Sequence, residues 1–373
     1  MRDLLLGLVM TPGIGWKTIY DLLRQGVDET GFNLSAAQWK AAFQRLTNKQ
    51  AQALSQTLNL DKINSIKQQL FNNDIDYLTI TDEHYPALLK EIAQPPWLLF
   101  AKGNLQLLKR TCLAVVGSRK TTAYGQTITK QIVPKLCEEG LCIVSGMALG
   151  IDAYAHQAAL EAGGDTIAVL GAGINVIYPE QNRRLYHRLV EHGLILSEYP
   201  PQTAPHPGFF PQRNRIIAGL SYGVLVVEAA QKSGSLITAH YALEHGREIF
   251  AVPGSIFSRQ SVGTNNLIQE HGAKLVTAHR DIVEELHHIL PLNKQPDSGK
   301  GAGLKEYQVA DDKEKTVLAL LNEEKVHINE LHLKSGLSLS DIQRILLKLE
   351  MKKLVISLPG SFYQKQGLPS GSD

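Results

Sequence analysis

Apolar positions along the chain change rhythm twice. Through residue 75 they recur at intervals near 3.6, as at Leu54, Leu58, Ile63, Ile66 and Leu70, which predicts short helices. The turn Thr11-Pro12-Gly13-Ile14-Gly15 lies between two such segments. From 76 to 290 the pattern becomes short apolar runs: CLAVVG (112–117), LCIVSG (141–146), TIAVLGA (166–172), LILSEY (194–199), YGVLVVEA (222–229) and EIFAVPG (248–254). Helical patterns such as 151–162, 180–191 and 235–245 separate them. Continuous apolar strands alternating with helices predict an α/β fold whose parallel sheet is covered on both faces. The Gly-, Pro- and charge-rich stretch 291–311 reads as a linker. Residues 312–365 then give helices near 312–323, 328–335 and 338–352, a turn at Gly336, and a short β pair around Pro359-Gly360. That order is the winged-helix pattern. The tail GLPSGSD reads as disordered.

Composition narrows the classes. At roughly 150 residues per domain, 373 residues suggest two or three domains. The 38 Lys+Arg against 36 Asp+Glu leave a net charge of +2, which excludes a wholly basic polymer binder but permits a local basic patch. No apolar run approaches the ~18 residues that cross a bilayer. The apolar N-terminus is interrupted by Asp3 and a Pro-Gly pair without a cleavage site, so a signal peptide is not expected. The three cysteines, Cys112, Cys137 and Cys142, fit neither a disulfide frame nor a zinc spacing. A reducing cytoplasm is the expected compartment.

The candidate chemistry lies in turns. There is no phosphate-loop Gly-Lys-Ser/Thr motif, and Gly171-Ala172-Gly173 has Val176 where a dinucleotide site needs its third glycine, so it reads as a tight turn. Three polar, glycine-bearing turns follow strands: Gly117 to Gly125, Ser145 to Asp152, and Lys232 to Thr238. In an open parallel sheet they face one edge, where backbone N–H groups, hydroxyls and helix N-termini can hold anions. The segment 205–215 adds Phe209, Phe210, Arg213, Asn214 and Arg215 and contains no acid. Arg and Asn bind phosphates and base edges. Phe210 is expected to stack on a base, with Phe209 buried beneath the loop. Catalytic groupings are thin. Asp152 and His156 stand at i, i+4, Glu198 and Glu228 end strands, and Ser235 lies five residues before His240, but none forms a nucleophile elbow or metal motif. A nucleotide hydrolase using the same edge stays open at this point.

VVGSRKTTAYG, IVSGMALGIDAYAH, VLGAGINVIYPEQNRRLY, GFFPQRNRIIAGLS, VVEAAQKSGSLITAHYALEHGREIFAVPGS and GTNNLIQEHGAKLV, spanning about 110 to 280, together resemble the DNA-processing protein A family, DprA or Smf. The resemblance implies an extended Rossmann-like domain over 76–290, an N-terminal helical domain of sterile-alpha-motif type over 1–75, the linker, and the winged helix at 312–365. It implies single-stranded DNA binding, loading of the recombinase RecA during natural transformation, and a homodimer formed through the central domain, with no cofactor, metal or membrane contact. Similar hydrolases of the lysine-decarboxylase-like group carry a catalytic Glu where this chain has Tyr241, so no catalytic residue is expected. Carried over, Gly117, Ser118 and Arg119 contact phosphate and Phe210 contacts a base, beside Arg213, Asn214 and Arg215. Ser145, Gly146, Lys232, Gly234 and Ser235 complete the expected DNA-binding set. His206 and Pro207 stand where some members carry a lysine. The Pro12–Gly15 turn resembles the hairpin of helix-hairpin-helix modules. On the presumed recognition helix, Arg344, Lys348, Lys352 and Lys353 are mixed with Asp341 and Glu350, which suits an accessory DNA or protein contact better than operator reading.

Overall fold

The six apolar runs become the centre of a nine-stranded sheet in the computed structural model, which describes residues 1–287, 289, 312–321, 326–351, 355–358 and 362–365. The first unit, Met1–Lys294, opens with five helices: α1 (Arg2–Met10), α2 (Trp16–Arg24), α3 (Ala36–Ala42), α4 (Asn48–Thr57) and α5 (Leu60–Asn72). Ser35 with Gln38, and Thr47 with Gln50, form capping boxes that fix the starts of α3 and α4. Two antiparallel strands follow, β1 (Asp76–Thr79) at the sheet's edge and, after the short α6 (Ala87–Lys90), β2 (Leu98–Gly103) beside it. Then come β3 (Cys112–Val116), α7 (Ala123–Glu138), β4 (Cys142–Ser145), α8 (Ile151–Glu161), β5 (Thr166–Val169), α9 (Arg183–His192) and β6 (Leu194–Ser197). The last run is α10 (Phe209–Gly219), β7 (Gly223–Val226), α11 (Ser235–Glu244), β8 (Glu248–Ala251), α12 (Val262–Glu270), β9 (Lys274–Leu275) and α13 (His279–Leu286).

The sheet order is β1-β2-β6-β5-β4-β3-β7-β8-β9. Every pairing from β6 through β9 is parallel, and β1 and β2 pair antiparallel at the edge. Strands β3 to β7 are buried along their whole length, because helices cover both faces. Two cores result: Ala114, Val144, Ile167 and Val224 on one face, and Leu113, Ile143, Leu225 and Phe250 on the other. The sequence pattern does not show β1, β2 or β9. β1 is buried over only half its length and β9 has two residues, while β2 carries the buried run Leu98–Ala101 outside the regular strand–helix alternation.

The N-terminal helices share a core with the sheet. Leu4, Leu5 and Leu8 pack with Ile19, Leu22, Trp39, Leu54 and Leu58, while Leu6 of the same helix joins Ile63, Phe100 and Ala168. Trp97 ties the two layers, its Nε1 donating to the Trp16 carbonyl at 3.1 Å while Trp16 Nε1 donates to the Pro95 carbonyl at 2.7 Å.

The second unit, Gln295–Asp373, holds α14 (Asp312–Leu320), β10 (Val326–His327), α15 (Ile328–Ser335), α16 (Leu339–Met351), β11 (Val355–Leu358) and β12 (Phe362–Lys365). Gly336 ends α15 with φ +68°, a left-handed cap that suits glycine. Besides the expected β11–β12 pair, β10 adds a third strand against β12. The expected linker, 291–311, and the tail lie outside the described residues.

One titratable group is sealed in the core. His156 of α8 is fully buried; its Nδ1 meets Thr166 Oγ1 at 2.7 Å, and that hydroxyl donates onward to the Ile143 carbonyl. Thr166 therefore accepts from His156, which fixes the neutral tautomer with the proton on Nδ1. Burial, and then the positive charge of Arg213, pull the imidazole down to about 3. The unfolded chain takes up this proton near 6.5 and the folded chain only near 3, so stability is lost as pH falls through that interval. Thermal scans from pH 7.5 to 4 are expected to show a falling Tm, with a smaller acid-induced drop in His156→Gln than in the wild type.

Candidate nucleic-acid interface at the sheet's switch point

From β3 the chain winds outward through β4, β5 and β6, then crosses back to β7 on the other side of β3. The loops at the carboxyl ends of β3 and β7 therefore diverge, and a cleft opens between them, where open α/β sheets hold ligands. It has a volume of about 660 Å³ and takes Gly117 to Lys120 from one loop, Lys232 to Ser235 from the other, and Phe210, Arg213 and Asn214 from α10.

Close approach of backbone shapes the first loop. A Cβ on Gly117 would come within 2.6 Å of the Ile151 side chain. Gly150, at φ +81°, lies so close to the Ser118 and Arg119 carbonyls that no side chain fits. Ser118 donates its N–H to the Glu228 carbonyl at 2.7 Å, and its Oγ accepts from the Lys120 N–H at 3.0 Å. The buried Glu228 carboxylate accepts from Thr121 Oγ1 (2.9 Å), the Thr122 N–H (2.9 Å) and Thr122 Oγ1 (2.5 Å). Thr122 caps α7, so the acid also sits at that helix's positive end. This pinned loop leaves Arg119 and Lys120 exposed at the rim, opposite the exposed Lys232.

The second turn is internal. Ser145 is fully buried and donates to the Val115 carbonyl at 2.7 Å. Gly146 gives its carbonyl to Arg213 Nη1 at 2.6 Å, and Arg213 also donates to the Val169 carbonyl. Arg213 is only 3% exposed. Burial lowers its pKa to about 10, with Asp152 opposing. Asp152, buried beside it, has its carboxyl pushed up by burial and held back by Arg213.

The expected phosphate ligands thus divide. Arg119 and Lys232 face the cleft. Arg213 forms its floor with both strong bonds spent on backbone. Arg215 lies outside it, donating Nη2 to Glu198 at 2.5 Å. Helical spacing is the reason: Phe210, Arg213 and Asn214 share one face of α10, and Phe209, Gln212 and Arg215 another. Asn214 Nδ2 donates to the Gly234 carbonyl at 3.2 Å, and Ser233 and Ser235 hydroxyls meet at 2.8 Å, ordering the third turn.

Both phenylalanines are half-buried, and they diverge to opposite sides. Phe209 stacks on Tyr199 with centroids 4.2 Å apart. Phe210 packs over Gly171, against Tyr178 at 5.4 Å, with the Arg119 guanidinium 5.3 Å above its ring. Gly173 is wedged against the backbone of Pro200, Pro201 and Thr203, so Gly171-Ala172-Gly173 serves close packing. Tyr241 does not line the cleft; it stacks on His245.

Sequence reasoning passes over Lys120, Tyr178 and the role of Glu228. Lys120 directly follows Arg119 in a turn already recognised. Tyr178 sits in a loop that no strand or helix pattern places. In the second unit, Arg344 of α16 pairs with Asp341 at 3.1 Å, while Lys352 and Lys353 lie outside the described residues.

Parallel strands with glycine-bearing, hydroxyl-rich turns and exposed cations at a topological switch define a Rossmann-like domain. The family described as DNA recombination-mediator protein A matches residues 76–287, and the DprA winged helix domain matches 305–361. The DNA processing protein DprA of Streptococcus pneumoniae is 52% identical over 207 residues, 56% of this chain and 73% of that protein. The Synechocystis protein Smf is 37% identical over 342 residues, 84% of this chain and 85% of that one. In three dimensions the chain is similar to the pneumococcal DprA structure, with a TM-score of 0.57 and 40% identity, covering 73% of this chain and 98% of that one. It is also similar to DNA processing protein A of Helicobacter pylori, with a TM-score of 0.53 and 30% identity, covering 58% and 98%. That structure is described as giving insight into a unique single-stranded DNA binding mode. The chain belongs to the DNA recombination-mediator protein A family.

Because Glu228 gathers three donors in a buried place, its removal strands them. Glu228→Ala is expected to lower stability by about 2–4 kcal/mol, measured by denaturant titration. Proteolysis should then cut first between Gly117 and Ala123.

Proposed function

We propose that this protein binds single-stranded DNA in the cleft with little sequence preference and hands it to a recombinase of the RecA type. The observation that carries the reading is the ring of exposed Arg119, Lys120 and Lys232 around Phe210, above turns rich in N–H and hydroxyl donors. Phosphates sit over Gly117 to Arg119 and beside Lys232, and a base lies against Phe210 between Tyr178 and the guanidinium. The Helicobacter pylori relative, described with a single-stranded DNA binding mode, supports this assignment. Arg213 and Ser145 hold the cleft's shape from beneath. The protein acts as a homodimer in the cytoplasm, without a cofactor, and the winged helix is an accessory module. The described residues contain no helix long and apolar enough to cross a membrane.

The carboxylate that lines the cleft, Asp152, is buried against Arg213, and Tyr241 lies outside the cleft. The reading is therefore a binder and not an enzyme. Steady release of base or phosphate from nucleoside monophosphates or ATP by pure protein would overturn that conclusion.

Fluorescence titration with oligo-dT and matching duplex tests the whole. Affinity for the single strand is expected to exceed that for duplex at least tenfold, or about 1.4 kcal/mol. Equal affinity would sink the reading.

Two substitutions should fail differently. Arg119→Ala removes a phosphate contact and flattens the log–log salt dependence by roughly 0.7. Phe210→Ala costs about 1–3 kcal/mol of affinity and leaves that slope unchanged, since no charge is lost. Because the two side chains touch, the double variant should lose less than the sum. Salt titrations of all three, with melting curves to confirm folding, decide it.

A further inference from the structure

A second depression opens on the other face of α10, next to the cleft. It has a volume of about 890 Å³ and lies between the Thr11–Thr18 hairpin and the stacked pair Tyr199–Phe209. The cleft takes Phe210, Pro211, Arg213 and Asn214, and this groove takes Phe209, Gln212 and Arg215, so one turn of helix is the ridge between them. A strand leaving Phe210 need only cross that ridge.

The groove offers three things that a nucleotide uses. Its walls are aromatic: Tyr199 and Phe209 on one side, Trp16 stacked on Trp97 at 5.4 Å on the other. The first turn of α2 has no side-chain cap on its N–H groups and carries the exposed Lys17, a place for phosphate. Independently, Arg215, only 7% exposed, lines the groove with Nη1 lacking any hydrogen-bond partner. An unsatisfied buried donor is costly, and a ligand that supplies its acceptor relieves that cost. The ion pair that Arg215 makes with Glu198 through Nη2 leaves Nη1 as the donor in excess.

From this we infer that the groove is a second nucleotide subsite, filled by the single strand as it continues from the Phe210 cleft over α10 onto the N-terminal helices. The inference rests on the strand-binding reading of the cleft. The N-terminal helices then take part in binding and lengthen the site.

The chain carries its own reporter. Of its three tryptophans, Trp39 is fully buried in the helical core, while Trp16 and Trp97 line the groove. Oligo-dT of about 4 and about 15 nucleotides, a span typical of single-strand sites, is titrated against the full chain. End-label anisotropy reads total binding and intrinsic tryptophan emission reads the groove. Lys17→Glu, a change at an exposed position, is titrated in parallel, as is free thymidine monophosphate. The long strand is expected to quench tryptophan emission, and Lys17→Glu to weaken the long strand several-fold while leaving the short one unchanged. Anisotropic binding of the long strand without quenching, or an equal effect of Lys17→Glu on both lengths, overturns the inference and leaves the cleft reading intact. Failure of both lengths to bind removes the cleft reading as well. Quenching by the free monophosphate matching that of the long strand overturns the continuous path and makes the groove a mononucleotide site.

Discussion

The Glu228 carboxylate, buried beyond the end of β7, is the constraint on which the cleft depends. It crosses the switch point to hold the loop that follows β3, the neighbouring strand. A buried carboxylate is costly unless its oxygens are satisfied, and here two threonines and a helix N-terminus satisfy them. The loop therefore has one conformation, and the exposed Arg119 and Lys120 are presented from a rigid base. Preorganisation of this kind spares the loss of loop freedom that binding otherwise incurs.

Beneath that loop, Arg213 is a second fixed charge. Its guanidinium joins the carbonyls that end β4 and β5, with Asp152 as the nearby countercharge. Gly146 has no side chain because the guanidinium fills the space where one would lie. The edge thus has two tiers: buried charges that fix turns, and exposed charges left for a ligand. Both tiers draw on the same residue types, which is why composition alone does not separate them.

That explains how much is legible in the sequence. The six central strands can be read because burial on both faces makes them continuous apolar runs, and the winged helix because Gly336 and the helical periods punctuate it. Strand β1 escapes because it is a half-buried edge of four residues, whereas the buried apolar run Leu98–Ala101 of β2 stands alone, without the strand–helix alternation that marks the other six. The turns around Gly117, Gly146 and Gly234 can be read from glycine and hydroxyl content. The orientation of Arg213 and Arg215 cannot, because it follows from where α10 begins, at Phe209, and so from which face each arginine occupies. Phe209 reads as buried beneath the loop for the same reason: its shelf, Tyr199, is contributed by a distant strand end.

The two faces of α10 also bear on how this segment can change over evolutionary time. Each residue advances the helix by about 100°, so one residue inserted or deleted between Phe210 and Arg213 would turn Phe210 out of register with Arg213 and Asn214. Individual side chains on the exposed rim can be exchanged without disturbing that register. The length of the segment cannot. By this geometry the segment tolerates substitution but not a change of length, and an added residue is accommodated only outside it, as in the loop ahead of His206.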